Sequence, residues 1–265
     1  MEGIKVKLDL NEVAVGYKGI AVLKDVSFTL NTGEVLCILG PNGSGKTTLF
    51  KTIMKLKPPL SGVISIDGCD ISKWPYDKIA TYIGYIPQNY STVFPYTALE
   101  MVLMGRTPGL SIWSVPKAED IQIALDSMKA LSILHLKDKI FTKISGGERQ
   151  LVLIARAIAQ QTKLLIMDEP TNNLDFGNQV LILNQIKKLS QKGIAVIMAT
   201  HVPEHAFLYA DKVLMVKDGY VLAYGKSKEI LSEENLKKLY GVNLKLMPVA
   251  SECYPSFKVC IPGVV

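Results

Sequence analysis

Val35-Leu36-Cys37-Ile38-Leu39-Gly40-Pro41-Asn42-Gly43-Ser44-Gly45-Lys46-Thr47-Thr48 joins an apolar run directly to the pattern G-x-x-x-x-G-K-[ST]. Five consecutive apolar residues predict a strand buried on both faces. The residues that follow, Leu49-Phe50-Lys51-Thr52-Ile53-Met54, are able to continue as a helix. A strand, a glycine-rich turn and a helix N-terminus are the context a phosphate-binding loop requires. The glycines let the backbone curl so that successive N–H groups point inward at phosphate oxygens. The helix turns its positive end toward the same anion. Residues 40–48 are therefore the candidate triphosphate cradle. Lys46 is placed to reach the β- and γ-phosphates, and the Thr47 hydroxyl to ligate Mg²⁺. The pattern implies a chain that binds a nucleoside triphosphate.

Composition bounds the answer without naming a function. The 265 residues can bury a sizeable core, as one large domain or two lobes. Apolar residues at 48% and charged residues at 20% are ordinary for a soluble globular protein. No apolar run approaches the roughly 18 residues of a membrane span, and Met1-Glu2-Gly3-Ile4-Lys5 lacks signal-peptide design. The expectation is a cytoplasmic protein. The four cysteines, Cys37, Cys69, Cys253 and Cys260, show no metal-ligand spacing, and reduced thiols are expected. A net charge of +6 suits an anionic surface but more often marks a solvated one.

Two kinds of strand are legible along the chain. Ile4-Lys5-Val6-Lys7-Leu8-Asp9-Leu10 alternates, as a half-buried antiparallel strand does, and residues 61–68 read as a short strand bounded by turn residues. Leu164-Leu165-Ile166-Met167 and Ile194-Ala195-Val196-Ile197-Met198-Ala199 are apolar throughout, like residues 35–39, and predict central parallel strands. Ile182, Ile186 and Leu189 between them predict an amphipathic crossover helix. Val213-Leu214-Met215-Val216 and Tyr220-Val221-Leu222-Ala223 flank Asp218-Gly219, a hairpin signal. Residues 90–161 lack long β-branched runs. Ala124, Leu125, Met128 and Leu131 point to helix, so this stretch reads as a helical lobe inserted into an α/β core.

The second chemical element is Leu164-Leu165-Ile166-Met167-Asp168-Glu169-Pro170. A buried strand ending in two carboxylates presents them at the sheet's carboxyl edge, where the phosphate loop also lies. Asp168 is suited to hold Mg²⁺, and Glu169 is the candidate general base for a water attacking the γ-phosphate. Two surface acids at a strand end are the bland alternative.

The third is Ile144-Ser145-Gly146-Gly147-Glu148-Arg149-Gln150, ahead of a strongly helical stretch. Ser145 and Glu148 form S-x-x-E, a capping box sufficient to explain both residues, but not the two glycines. The stretch resembles the signature motif of ATP-binding cassette (ABC) proteins, and the other family motifs follow in order. The likeness covers about the first 245 residues. It implies an α/β P-loop (RecA-like) nucleotide-binding core with an antiparallel β subdomain and an inserted α-helical subdomain. Residues 1–250 would form the ATPase domain, with core 1–89 and 163–250 and helical subdomain 90–162, and 251–265 a C-terminal tail. Tyr17 falls where the family's adenine-stacking aromatic belongs, with Val22 as a second apolar contact. Gln88 matches the Q-loop residue that touches Mg²⁺ and the attacking water. Asn172-Asn173-Leu174-Asp175 resembles the D-loop, with Asp175 acting across a dimer, and His201 the switch histidine near the γ-phosphate. Ser145, Gly146, Gly147 and Glu148 would face ATP held by a second copy. Glu148 stands where glutamine is commoner, and Val202 where an acid often follows the histidine.

The resemblance implies hydrolysis of Mg²⁺-ATP, with the substrate sandwiched in a head-to-tail homodimer. The partners implied are integral membrane permease subunits at the cytoplasmic face of the membrane and, indirectly, an extracytoplasmic substrate-binding protein. Residues 90–97, rich in exposed-looking aromatics, and 102–108 lie where the family receives a permease helix. Glu148-Arg149-Gln150, residues 172–179 and residues 205–211 look most like cassettes of the ferric-siderophore, haem and cobalamin importers, a group that includes molybdate and tungstate uptake. An exporter cassette and a soluble cassette for iron–sulfur assembly or DNA maintenance remain alternatives. No basic patch with interleaved aromatics argues for nucleic acid. Residues 251–260, with Cys253 and Cys260, are compatible with a final short hairpin.

Overall fold

The computed structural model describes residues 6–88, 90, 92–109, 114–249 and 258–263. Its strands are β1 (Lys7–Tyr17), β2 (Ile20–Asn31), β3 (Val35–Leu39), β4 (Ser61–Ile66), β5 (Cys69–Asp70), β6 (Ile83–Ile86), β7 (Leu164–Asp168), β8 (Ala195–Thr200), β9 (Lys212–Lys217), β10 (Tyr220–Lys226), β11 (Leu244–Pro248) and β12 (Lys258–Pro262). The helices are α1 (Lys46–Ile53), α2 (Tyr76–Tyr82), α3 (Ala98–Leu103), α4 (Ala118–Ala130), α5 (Gly146–Ala159), α6 (Phe176–Gln191), α7 (Pro203–Tyr209), α8 (Ser227–Ile230) and α9 (Glu233–Tyr240).

One ten-stranded sheet runs in the order β5-β4-β1-β2-β10-β9-β3-β8-β7-β6. Its β5-β4-β1-β2 half is antiparallel, and β9-β3-β8-β7-β6 is parallel. A single pairing, Tyr220 with Lys24, joins β10 to β2. The apolar runs are buried end to end in β3, β7 and β8, and their alternation decides which face each side chain packs. Val35, Cys37 and Leu39 face a core built with α3 to α7 and α9. Leu36 and Ile38 face a second core with α1, α2 and the antiparallel strands. Parallel strands covered on both faces carry no polar alternation, which is why their sequence is continuously apolar.

Register positions the site. Leu39 pairs with Thr200, Asp168 with Ala199 and Ile86 with Met167, so β3, β6, β7 and β8 end along one edge. The loops after these strands carry residues 40–45, Gln88, Glu169 and His201. Ligands in open α/β sheets gather at such a carboxyl edge.

The stretch between β6 and β7 is helical as expected, with Ala124 and Met128 buried on α4. Asp218 and Gly219, both at positive φ, turn β9 into β10. Ile4 and Lys5 of the N-terminal strand expectation lie outside the described residues. The aromatic stretch 90–97 is less exposed than its sequence suggests. Tyr90 packs edge-on against Phe141 and beneath the Arg156 guanidinium, and of the aromatics Tyr90, Phe94 and Tyr96 only Phe94 is well exposed. The segment read as a tail forms a strand: β12 pairs antiparallel with β11, Cys260 opposite Leu246. Cys253 lies outside the described residues.

Candidate functional site

The loop from β3 to α1 depends on its glycines. A Cβ on Gly40 would sit 2.4 Å from the Val216 carbonyl oxygen, and Gly43 and Gly45 hold φ of 81° and 96°. Gly45 occupies the N-cap of α1 and no side chain caps that helix, whose first turn has no acid to compete with an anion. The Ser44 hydroxyl is buried inside the loop without a hydrogen-bond partner. Leaving it so costs about 1–3 kcal/mol, which a phosphate oxygen would recover. Val22, Asn42, Gly43, Gly45, Lys46, Thr47, Thr48, Gln88 and Glu169 line one open cleft.

Lys46 is buried and folds back over the loop, its Nζ donating to the carbonyls of Gly40 at 2.8 Å and Pro41 at 3.0 Å. Burial lowers its pKa, and the carboxylates of Glu169 and Asp168 oppose that shift. The Thr47 hydroxyl donates to Asp168 Oδ2 at 2.6 Å. Burial raises the Asp168 pKa, against the Thr47 hydrogen bond, which lowers it. A hydroxyl and a buried carboxylate side by side, with the Gln88 amide across the same cleft, are hard oxygen donors of the kind Mg²⁺ takes, so the donor set fits that ion.

Glu169 is the hub. It turns at φ 48° immediately after β7, in the left-handed region that a non-glycine residue enters at a cost. The turn delivers a carboxylate only 6% exposed into the cleft. Its Oε2 accepts from the Gln88 amide at 2.8 Å and from the Asn172 amide at 3.3 Å. His201 Nδ1 lies 3.7 Å from the same oxygen, and Lys46 Nζ 3.7 Å from Oε1. Tyr17 stands at the end of β1, 42% exposed, its hydroxyl 3.4 Å from the Thr48 hydroxyl and its ring beneath Lys57 Nζ at 4.0 Å.

The structure thus brings Lys46, Thr47, Asp168, Glu169, Gln88 and His201 together. It does not bring Ser145, Gly146, Gly147 or Glu148 into that cleft. Ser145 caps α5: its hydroxyl accepts the Glu148 N–H at 3.2 Å, and Glu148 Oε2 accepts the Ser145 N–H at 2.8 Å. That backbone N–H holds the Glu148 carboxyl below its usual range. The two glycines differ. Gly146 is exposed, whereas Gly147 is buried, and a Cβ there would meet the Asn178 side chain at 2.4 to 2.7 Å. Close approach within the chain, not only to a ligand, therefore favours the second glycine, since a larger residue would push the Asn178 amide aside. Asn178 is held in turn by Asp175, which caps α6 through the Asn178 N–H at 2.8 Å and its amide at 2.7 Å. Gly147→Ala is expected to displace the Asn178 amide while gaining helix propensity, so stability should change by less than about 1 kcal/mol, read from the denaturant midpoint.

Sequence reasoning passed over Asn172 as a partner of Glu169 and His205 as a neighbour of the histidine loop. Asn172 sits one turn past Glu169, its N–H donating to the Glu169 carbonyl, a spacing that hints at the contact. His205 is buried against the Thr200 hydroxyl, and burial pushes its pKa down to about 4.

Comparison with known proteins identifies the family. Residues 23–172 match the family model described as ABC transporter. The chain is 42% identical, over 91% of its own length and 91% of the relative's, to an uncharacterized ABC transporter ATP-binding protein of Haemophilus influenzae. It is 37% identical to the molybdate import ATP-binding protein MolC of the same organism, covering 83% of this chain and 81% of that one. Against the hemin import ATP-binding protein HmuV of Rhodococcus jostii it is 34% identical, over 89% and 80%. A metal-chelate type ABC transporter in an inward-facing conformation superposes with a TM-score of 0.87 at 31% identity, over 98% of both chains. The chain belongs to the ABC transporter family. It is an ABC-type ATPase whose hydrolysis is coupled to transport. Among the described residues no helix is long and apolar enough to cross a membrane.

Proposed function

We propose that this chain is the nucleotide-binding subunit of an importer for a metal chelate of the ferric-siderophore, haem or cobalamin type. Two copies would sandwich two ATP molecules head-to-tail beneath a separate membrane permease, at the cytoplasmic face. The observation that carries the hydrolytic part is the Glu169 carboxylate, buried and shared among Gln88, Asn172, His201 and Lys46. In this reading Glu169 takes the proton of a water as its oxygen bonds the γ-phosphorus, and ADP departs with the bond to the β–γ bridging oxygen. Gln88 and His201 orient the water and the γ-phosphate, and Lys46 holds the β- and γ-oxygens. Loop N–H groups along residues 40–48, Pro41 having none, bind the phosphates, with the Ser44 hydroxyl as an added donor. Tyr17 and Val22 take the adenine. Mg²⁺, held by Thr47 and Asp168 with Gln88 nearby, would neutralise charge building on the phosphate oxygens.

One chain offers little to cover the far side of the triphosphate, since the Ser145–Gly147 end of α5 does not line the cleft. Ser145, Gly146, Gly147 and Glu148 of a second copy would supply that cover, with Asp175 nearby to couple the two sites. The substrate class rests on likeness to the hemin relative, an iron chelatin transport protein of Helicobacter pylori and the metal-chelate type transporter. A molybdate or tungstate oxyanion is the second reading, favoured by the 37% identity to the molybdate relative. Co-expression with a permease and binding protein, followed by ATP-driven uptake into vesicles, separates the two. Uptake of a ferric chelate, haem or cobalamin is expected. Uptake of molybdate alone would move the assignment to the oxyanion, and outward transport would overturn import.

A further inference from the structure

His201 sits in a short loop between β8 and α7, and three contacts grip that loop. On its inner side the Thr200 hydroxyl accepts the Val202 N–H at 3.1 Å and lies 3.2 Å from His205 Nδ1. On its outer side the Tyr240 hydroxyl donates to the His201 carbonyl oxygen at 3.0 Å. Tyr240 ends α9, more than thirty positions downstream, where Gly241 at φ 73° closes the helix. Its ring packs against the main core, and burial pushes its hydroxyl up, so it stays a donor at working pH.

The elements after β10 hold that tyrosine in place. Leu236 and Leu239 bury one face of α9. Glu233 at its start accepts the Leu246 N–H of β11 at 2.8 Å. The partner strand β12 returns to the histidine loop, the Cys260 N–H donating to Glu204 of α7 at 3.2 Å. The α9–β12 unit therefore touches the loop at His201 and, three residues later, the first turn of α7 that the loop enters. A carbonyl fixed by a distant hydroxyl limits rotation of the peptide that sets where the His201 ring points.

We propose that Tyr240 is a positioning residue for ATP hydrolysis, holding through its hydroxyl the peptide that carries His201, with the α9–β12 unit as its brace. The inference rests on His201 acting at the γ-phosphate, and the test keeps the two ideas apart. In the full chain, Tyr240→Phe removes one hydroxyl and keeps the packed ring. Its kcat is expected to fall about five-fold, the worth of one neutral hydrogen bond, with KM for ATP within about two-fold. His201→Ala should be slower still, and the double variant no slower than His201→Ala alone, because Tyr240 acts through that residue. Glu204→Ala, which cuts the second tether, should slow turnover in the same KM-sparing way. Unchanged turnover in His201→Ala would refute the role of the histidine itself. If His201→Ala is slow while Tyr240→Phe is wild-type-like, or if the two losses multiply, the Tyr240 proposal falls. Wild-type turnover in Glu204→Ala would remove the hairpin from the brace.

Discussion

Glu169→Gln is expected to bind ATP as the natural chain does and to lose at least about 100-fold in turnover. The substitution keeps size and hydrogen-bonding reach, so Gln88 and Asn172 still find an oxygen at the position where they now meet Oε2. What it removes is the capacity to take a proton. The variant also withdraws a negative charge 3.7 Å from Lys46 and close to the phosphates, which favours the nucleotide-bound state. ATP should therefore trap it as a closed dimer, read by sedimentation with and without nucleotide. Turnover within about three-fold of the natural chain would end the general-base assignment, since a positioned base contributes a hundred-fold or more.

Lys46→Ala is expected to act earlier in the cycle, on binding. The ammonium makes charge-assisted hydrogen bonds of the kind worth about 1.5–3 kcal/mol each, so ATP affinity should fall by roughly 10- to 100-fold. The folded chain itself should survive, because Nζ donates to loop carbonyls of Gly40 and Pro41 that water in the open cleft can satisfy, and its pairing with Glu169 is loose at 3.7 Å. Equilibrium titration with a fluorescent nucleotide measures the loss. Unaltered affinity with lost turnover would instead make Lys46 purely a transition-state group.

The parallel core was legible because its strands lack any polar alternation. Residues 35–39, 164–167 and 194–199 could be assigned without knowing their neighbours, within a residue of the observed β3, β7 and β8, and the Asp218-Gly219 turn marked the hairpin by its backbone requirement. The capping box at Ser145 and Glu148 is likewise a local pattern, and the structure contains it. What sequence could not give is contact between distant segments. The packing of Gly147 on Asn178, the hold of Tyr240 on His201 and the return of β12 to α7 leave no periodic trace. Tyr90 misled for the same reason: a polar-flanked aromatic in a connection reads as exposed until Phe141 and Arg156 arrive from elsewhere in the chain. Asp175 shows a role that needs no second copy, since its carboxylate already caps α6.

The central claim is that each catalytic centre is assembled from two copies of this chain. It is tested most directly by measuring ATPase activity per subunit against protein concentration in the full chain, with sedimentation alongside. The account predicts activity per subunit that climbs with concentration and levels off as nucleotide-bound dimer accumulates. Constant activity per subunit, sustained where only monomer sediments, would contradict it.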